Sequence, residues 1–245
     1  MERTKTMADA CPVVVSFEGG IGIGKSTVIE KLKTLLNGVA GVVFVDEPVD
    51  EWMQSGLLQA MYKGTLNTST FQHMVLMSLA ADLGRVVLYQ KPALIITERS
   101  PVSNYYVFAK ENLDGHELDS YKFVWDRFMG IYPPGIESHY IYLDAPTSVL
   151  TDRIKARDRS AEDSVSAAYM DALDNRHKAW LANEANAHTV DASADGDAVF
   201  KSVVERLRCV VQDCGRADQL SAVLSKLVMA SEFRAADARS SPQAP

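Results

Sequence analysis

Residues 19–26 read Gly19-Gly20-Ile21-Gly22-Ile23-Gly24-Lys25-Ser26, and the fold follows from how this stretch is read. It fits G-x-x-x-x-G-K-[ST] at every fixed position. A short apolar run at 13–17 precedes it, and a helical pattern at 27–36, opening on Thr27, follows it. The glycines let backbone N–H groups turn inward and approach phosphate oxygens, and a helix start adds partial positive charge. Lys25 is expected to reach the β- and γ-phosphates of ATP, and the Ser26 hydroxyl to sit on Mg²⁺. The motif leaves the reaction open, because GTPases, motor ATPases and small-molecule kinases share it.

Outward from the loop, short β-branched runs alternate with longer helical patterns. Residues 13–17, 42–45, 93–97, 140–143 and 188–190 read as strands bounded by Gly, Pro or acidic residues. Their near-continuous apolar character suits strands buried on both faces of a parallel sheet. The clearest helix is 70–90, where Phe71, Val75, Leu76, Leu79, Leu83, Val86 and Val87 recur at helical spacing. The expectation is a doubly wound α/β fold with five parallel strands flanked by helices, binding its ligands beyond the strands' carboxyl ends. Residues 1–12 read as a disordered arm, 13–212 as the working domain, and 213–245 as one more helix (219–233) and a disordered tail. Both ends are expected to be solvated.

The chain has 245 residues and a formal net charge of −7, from 32 acidic and 25 basic residues. That balance argues against broad nucleic-acid or membrane-surface binding. No stretch is expected to approach a membrane span, and the run at 13–17 is too short for a signal-peptide core. Cys11, Cys209 and Cys214 form no Cys-x-x-Cys, and the histidines are scattered, so neither a disulfide framework nor a zinc site is suggested. A cytoplasmic protein is expected, with a nuclear one equally compatible.

Three further stations bear on the acceptor of a phosphoryl group. The second strand ends in Val45-Asp46-Glu47-Pro48, and a carboxylate there can face the phosphate loop and take a hydroxyl proton. Glu47 could equally cap the next helix. The third strand ends in Thr97-Glu98-Arg99-Ser100. Glu98 is placed to act on Mg²⁺ and Arg99 to meet the acceptor oxygen or the moving phosphoryl group; the plain alternative is a surface ion pair. Arg153, Arg157 and Arg159 form R-x-x-x-R-x-R, with Arg153 and Arg157 on one helical face. The rigid guanidinium fork suits phosphate oxygens, although such a run is often only a solvated face.

In this order, the four stations resemble the deoxynucleoside kinase family. The likeness runs from about residue 13 to 181 and rests on GGIGIGKST, on EPVDEW at 47–52, on TFQ at 70–72, on ERS at 98–100 and on RIKARDRSAE at 153–162. It implies a P-loop kinase fold with an arginine-rich lid formed by Arg153, Arg157 and Arg159, and transfer of the ATP γ-phosphate to a 5′-hydroxyl. It implies Glu47 as general base, Arg99 at the 5′ end and Glu98 on the metal. Trp52 and Phe71 would wall the base pocket, Gln72 would bond the base edge, and Tyr62 with Glu162 would bind the 3′-hydroxyl. A homodimer packed through helices is also the family's habit.

Two departures bear on the acceptor. Members preferring deoxycytidine and purines carry an arginine where this chain has Leu79 and an aspartate where it has Asn104. An uncharged wall there points to thymidine, with deoxycytidine also accepted. Pro101 after ERS is closer to the viral thymidine kinases. The spacing from Tyr62 to Gln72 is one residue shorter than usual in the family. The competing readings are a nucleoside-monophosphate kinase, disfavoured by the acidic residues Asp46, Asp50 and Glu51 around Glu47, and a nucleotide-binding regulatory module.

Overall fold

The first strand, β1 (Val13–Glu18), is buried along its whole length because it sits in the middle of the sheet. The computed structural model describes residues 11–132, 136–157, 165–216 and 218–237. Arg159, Glu162, most of the N-terminal arm and the extreme C-terminal tail lie outside them. After β1 come α1 (Lys25–Leu35), β2 (Val42–Val45), α2 (Val49–Gln54), α3 (Leu57–Tyr62), α4 (Thr68–Arg85) and β3 (Leu94–Glu98). Then follow α5 (Pro101–Ser103), α6 (Lys110–Asn112), α7 (Gly115–Ile131), β4 (Glu137–Asp144), α8 (Thr147–Arg157) and α9 (Ala167–Leu181). The series closes with β5 (Ala187–Asp191), α10 (Gly196–Asp213) and α11 (Ser221–Asp237).

All five strands are parallel, in the order β2-β3-β1-β4-β5. The register determines what meets at the carboxyl edge. Phe17 lies opposite Glu98, and Val45 opposite Thr97. The chain therefore leaves β1 at Gly19, β3 at Arg99 and β2 at Asp46-Glu47 side by side. The chain turns to the other side of β1 after β3, which makes this edge the topological switch point where α/β sheets bind ligands.

The strands fall where the apolar runs place them, with one difference. β4 starts at Glu137 rather than 140, pairing polar residues with Val13–Val15. His139 is tolerated there because its Nε2 meets Glu137 at 2.8 Å. The long helix also differs: α4 begins at Thr68, capped by the Asn67 side chain accepting from the Thr70 N–H at 3.1 Å, and 86–90 is a π-helical turn.

Thr68–Gln90 corrects the membrane expectation in one respect. By length and composition alone it could cross a membrane, with mean hydropathy 1.2. Its buried residues Val75, Leu76, Leu79 and Leu83 pack inside the protein, so it reads as a core helix. The main core lies between the sheet and α1, α10 and α11, where α10 contributes Val199, Val203, Val204, Leu207, Val210 and Val211 from one face.

Candidate active site

The loop between β1 and α1 closes tightly because its glycines let it. Gly22 has φ +78°, and a Cβ there would stand 2.6 Å from Ile154 Cγ1. At Gly19 (φ +139°), a Cβ would approach the Leu143 carbonyl oxygen to 2.7 Å. Larger residues would push the loop off α8 and β4. Lys25, the first residue of α1, is buried and turns back into the loop, donating to the carbonyls of Gly19 (3.2 Å) and Gly20 (3.1 Å). Burial, then the nearby Arg99, pushes its pKa down to about 8. Lys25 is thereby held inward by two backbone oxygens of the loop it follows.

Ser26 Oγ donates to Glu98 Oε1 at 2.9 Å, so the two expected metal ligands meet at the loop's mouth. Burial raises the Glu98 pKa, while Lys25 opposes the shift. Among the described residues no group of three or more His, Cys, Asp and Glu could hold a metal. The Ser26–Glu98 pair is a donor set that would suit Mg²⁺, which commonly takes one or two protein ligands and fills its octahedron with phosphate oxygens and water.

Arg99 is the most constrained residue of the site. It has φ +64°, a left-handed conformation that non-glycine residues rarely adopt. Its N–H bonds the Phe17 carbonyl at 3.0 Å, Nε bonds Glu47 Oε1 at 2.9 Å, and Nη1 bonds the Gly19 carbonyl at 3.2 Å. The guanidinium also lies 4.5 Å from the Phe108 ring centroid. Arg99 is 6% exposed, which rules out a surface ion pair. Glu47 is not a helix cap either: Pro48 takes that position on α2, without a side-chain bond. Strain held in place by several partners is typical of functional positions.

A single cleft of about 760 Å³ joins these parts. At one end it is lined by the loop residues Ile21, Gly22, Ile23, Gly24, Lys25, Ser26 and Thr27, and at the other by Trp52, Tyr62, Phe71, Gln72, Leu79 and Asn104. Glu47, Glu98 and Arg99 also line it. Trp52 and Phe71 meet edge to face at 6.0 Å and, with Val75 and Leu79, form an apolar wall. Asn104 Nδ2 donates to Gln72 Oε1 at 3.2 Å. Asn104 starts a π-helical stretch, Asn104–Ala109, a form common at functional sites.

Arg153 also reaches the cleft, but its Nη1 and Nη2 donate to the Ile23 (3.0 Å) and Ala192 (2.9 Å) carbonyls. In this structure it ties the loop to the end of β5. The remaining lid residues fall outside what is described, as does the side chain of Arg157. Phe108 and Tyr169 line the cleft and were not among the expected residues. Aromatics on helices read as core, and nothing in their spacing sets them apart.

The sequence model for deoxynucleoside kinases matches residues 15–212. Thymidine kinase of Ictalurid herpesvirus 1 is 28% identical over 235 residues, covering 87% of this chain and 91% of that protein. Human deoxycytidine kinase is also 28% identical over 235 residues, covering 79% of this chain and 89% of that enzyme. Mitochondrial deoxyguanosine kinase of Xenopus laevis is 29% identical over 198 residues, covering 68% and 72%. Among solved structures, deoxyadenosine kinase from M. mycoides superposes with a TM-score of 0.66 at 21% identity, covering 80% of this chain and 100% of that one. With the family match running from β1 into α10, this chain belongs to the deoxynucleoside kinase family.

Proposed function

We propose that the enzyme transfers the γ-phosphate of ATP to the 5′-hydroxyl of thymidine and accepts deoxycytidine as well. The observation carrying this reading is the continuity of the cleft, with a phosphate loop at one end, an apolar slot at the other, and Glu47 with Arg99 among its lining residues. The donor phosphates sit on 19–27 and the base lies against Phe71 and Trp52. Glu47 accepts the proton of the attacking hydroxyl. Arg99 holds Glu47 in place and offers its guanidinium to the 5′ end. Lys25 leaves the Gly19 and Gly20 carbonyls for the β- and γ-phosphates, and Arg153 with the lid arginines adds charge as the cleft closes. Mg²⁺ held at Ser26 and Glu98 would neutralise phosphate charge in a loose transition state. Tyr62 and Glu162 serve the sugar 3′-hydroxyl in this reading.

The choice of thymidine is supported by Leu79, buried in the apolar wall, and by the uncharged Asn104. The relatives' names divide between thymidine and deoxycytidine at equal identity, so they do not decide it. Part of the acidic character that disfavours a monophosphate acceptor is compensated, because Lys33 Nζ lies 2.6 Å from Asp46. The monophosphate therefore belongs in the test. A panel of the four deoxynucleosides and thymidine monophosphate with ATP, compared by kcat/KM, should rank thymidine first. Turnover of the monophosphate alone would refute the reading. A homodimer belongs to the same reading, supported by exposed Met77 on α4 and Phe123 on α7, two helices in mutual contact; light scattering of the purified protein tests it.

A further inference from the structure

The base end of the cleft is backed by a buried chain of three side chains from three elements. Tyr121 on α7 is fully buried, and its O–H donates to Asn104 Oδ1. Asn104 Nδ2 in turn donates to Gln72 Oε1 on α4. Asn104 and Gln72 are 2% and 4% exposed. Each amide has an oxygen end and an NH₂ end of nearly the same shape, so sterics alone do not fix which way either points. The phenol supplies the missing asymmetry. Burial, then the neighbouring Tyr105, raises its pKa, so it keeps its proton and remains a donor. The hydroxyl could also accept, but an Asn104 NH₂ turned toward it would leave the buried O–H without an acceptor among the described residues. Asn104 therefore answers with oxygen and turns its NH₂ to Gln72, and Gln72 answers with oxygen in turn.

The geometry points to Tyr121 as a positioning residue for base choice: by donating to Asn104, it fixes which end of the Gln72 amide meets the base. This rests on the reading of Gln72 as the group that bonds the base edge. Thymine presents an acceptor at O4 beside a donor at N3, whereas cytosine presents a donor at N4 beside an acceptor at N3. A glutamine amide can pair with either, but only in opposite orientations. An amide free to turn serves both bases, and one held from behind favours one of them. Tyr121 is not among the residues lining the cleft, so it acts only through Asn104. Its ring stacks on Tyr105 at 6.1 Å and 5° and lies 5.0 Å from His73, contacts that a phenylalanine keeps.

The test compares wild type, Tyr121→Phe, Asn104→Asp and the double variant by kcat/KM for thymidine and deoxycytidine with ATP. Tyr121→Phe should reduce the discrimination between the two nucleosides about tenfold, whichever one wild type prefers. A carboxylate at position 104 only accepts, so Gln72 must turn its NH₂ toward it with or without the phenol. Asn104→Asp should therefore move the ratio toward the other base by about tenfold, and Tyr121→Phe should add less than about twofold in that background. Equal losses on both nucleosides, or the same shift in both backgrounds, would mark Tyr121 as merely structural and overturn the proposal. Should Tyr121→Phe not fold, Asn104→Asp decides alone, an unchanged ratio being the adverse result. Wild type inactive on every deoxynucleoside overturns the kinase reading and this proposal with it. An active wild type whose ratio ignores both substitutions overturns this proposal alone.

Discussion

At the scale of single residues, Glu47 can be a base only if Arg99 positions it without taking it out of the reaction. One carboxylate oxygen bonds Arg99 Nε, and the other has no hydrogen bond among the described residues, so a base at this position would use that oxygen in the cleft. Glu47→Gln keeps the shape and removes the basicity. Its kcat should fall by about 10²–10⁴ while the thymidine KM changes little, because the lost interaction belongs to the transition state. Near-normal turnover would remove Glu47 from the mechanism. Both residues were visible in the sequence as types at strand ends. Their distance, the left-handed backbone of Arg99 and its contact with Phe108 were not, because each depends on strands that are neighbours only in the sheet. Tyr121 was invisible for a related reason: an aromatic on the inner face of an amphipathic helix reads as packing, and its hydroxyl meets Asn104 only once α7 lies against the stretch 104–109.

At the scale of elements, the phosphate loop and strand pattern were legible because glycine spacing and apolar runs are local properties. The fate of a helix's apolar face is not. A helix near 219–233 was expected, but as part of a solvated end. Instead α11 packs on α10, and Leu220, Val223 and Leu227 are almost fully buried in the main core. The segment is apolar around much of its surface, so the pattern does not single out the buried face or say what receives it. The family match stops at residue 212, short of this helix. Leu227→Ala should destabilise the protein by about 2–5 kcal/mol, the range for a buried leucine cavity. Chemical denaturation checks it. Activity of the folded variant should stay near wild type, since α11 does not line the cleft. A loss below about 0.5 kcal/mol would mean that the helix is not a working part of the core.

At the scale of the whole molecule, one buried pair joins the sheet to α9 behind the site. Glu18 at the end of β1 and His177 on α9 are both completely buried, with Oε2 and Nε2 facing at 3.9 Å. Neither atom has a hydrogen-bond partner among the described residues, although Glu18 Oε1 accepts from Ser100 Oγ at 2.7 Å. Burial pushes the Glu18 pKa up to about 7 from 4.5, with Arg99, Ser100, Ser103 and Lys25 pulling against it. Burial, then Arg99, pushes His177 down to about 3 from 6.5. The two shifts act on stability in opposite pH windows. The folded protein holds the Glu18 proton more tightly than the unfolded chain does, so this contribution is fully present below about 4.5 and is lost as pH rises through about 7. The folded protein resists protonating His177, so that contribution is present above about 6.5 and is lost as pH falls toward about 3. Glu18→Gln imitates the protonated carboxyl at every pH. Relative to wild type it should therefore gain about 1–3 kcal/mol of stability between pH 5 and pH 8. His177→Gln should lessen the loss that wild type suffers on acidification below pH 6. Urea midpoints of the three proteins across pH 4–8 measure both effects, and profiles that run parallel would mean that neither group carries its shifted proton into the folding equilibrium.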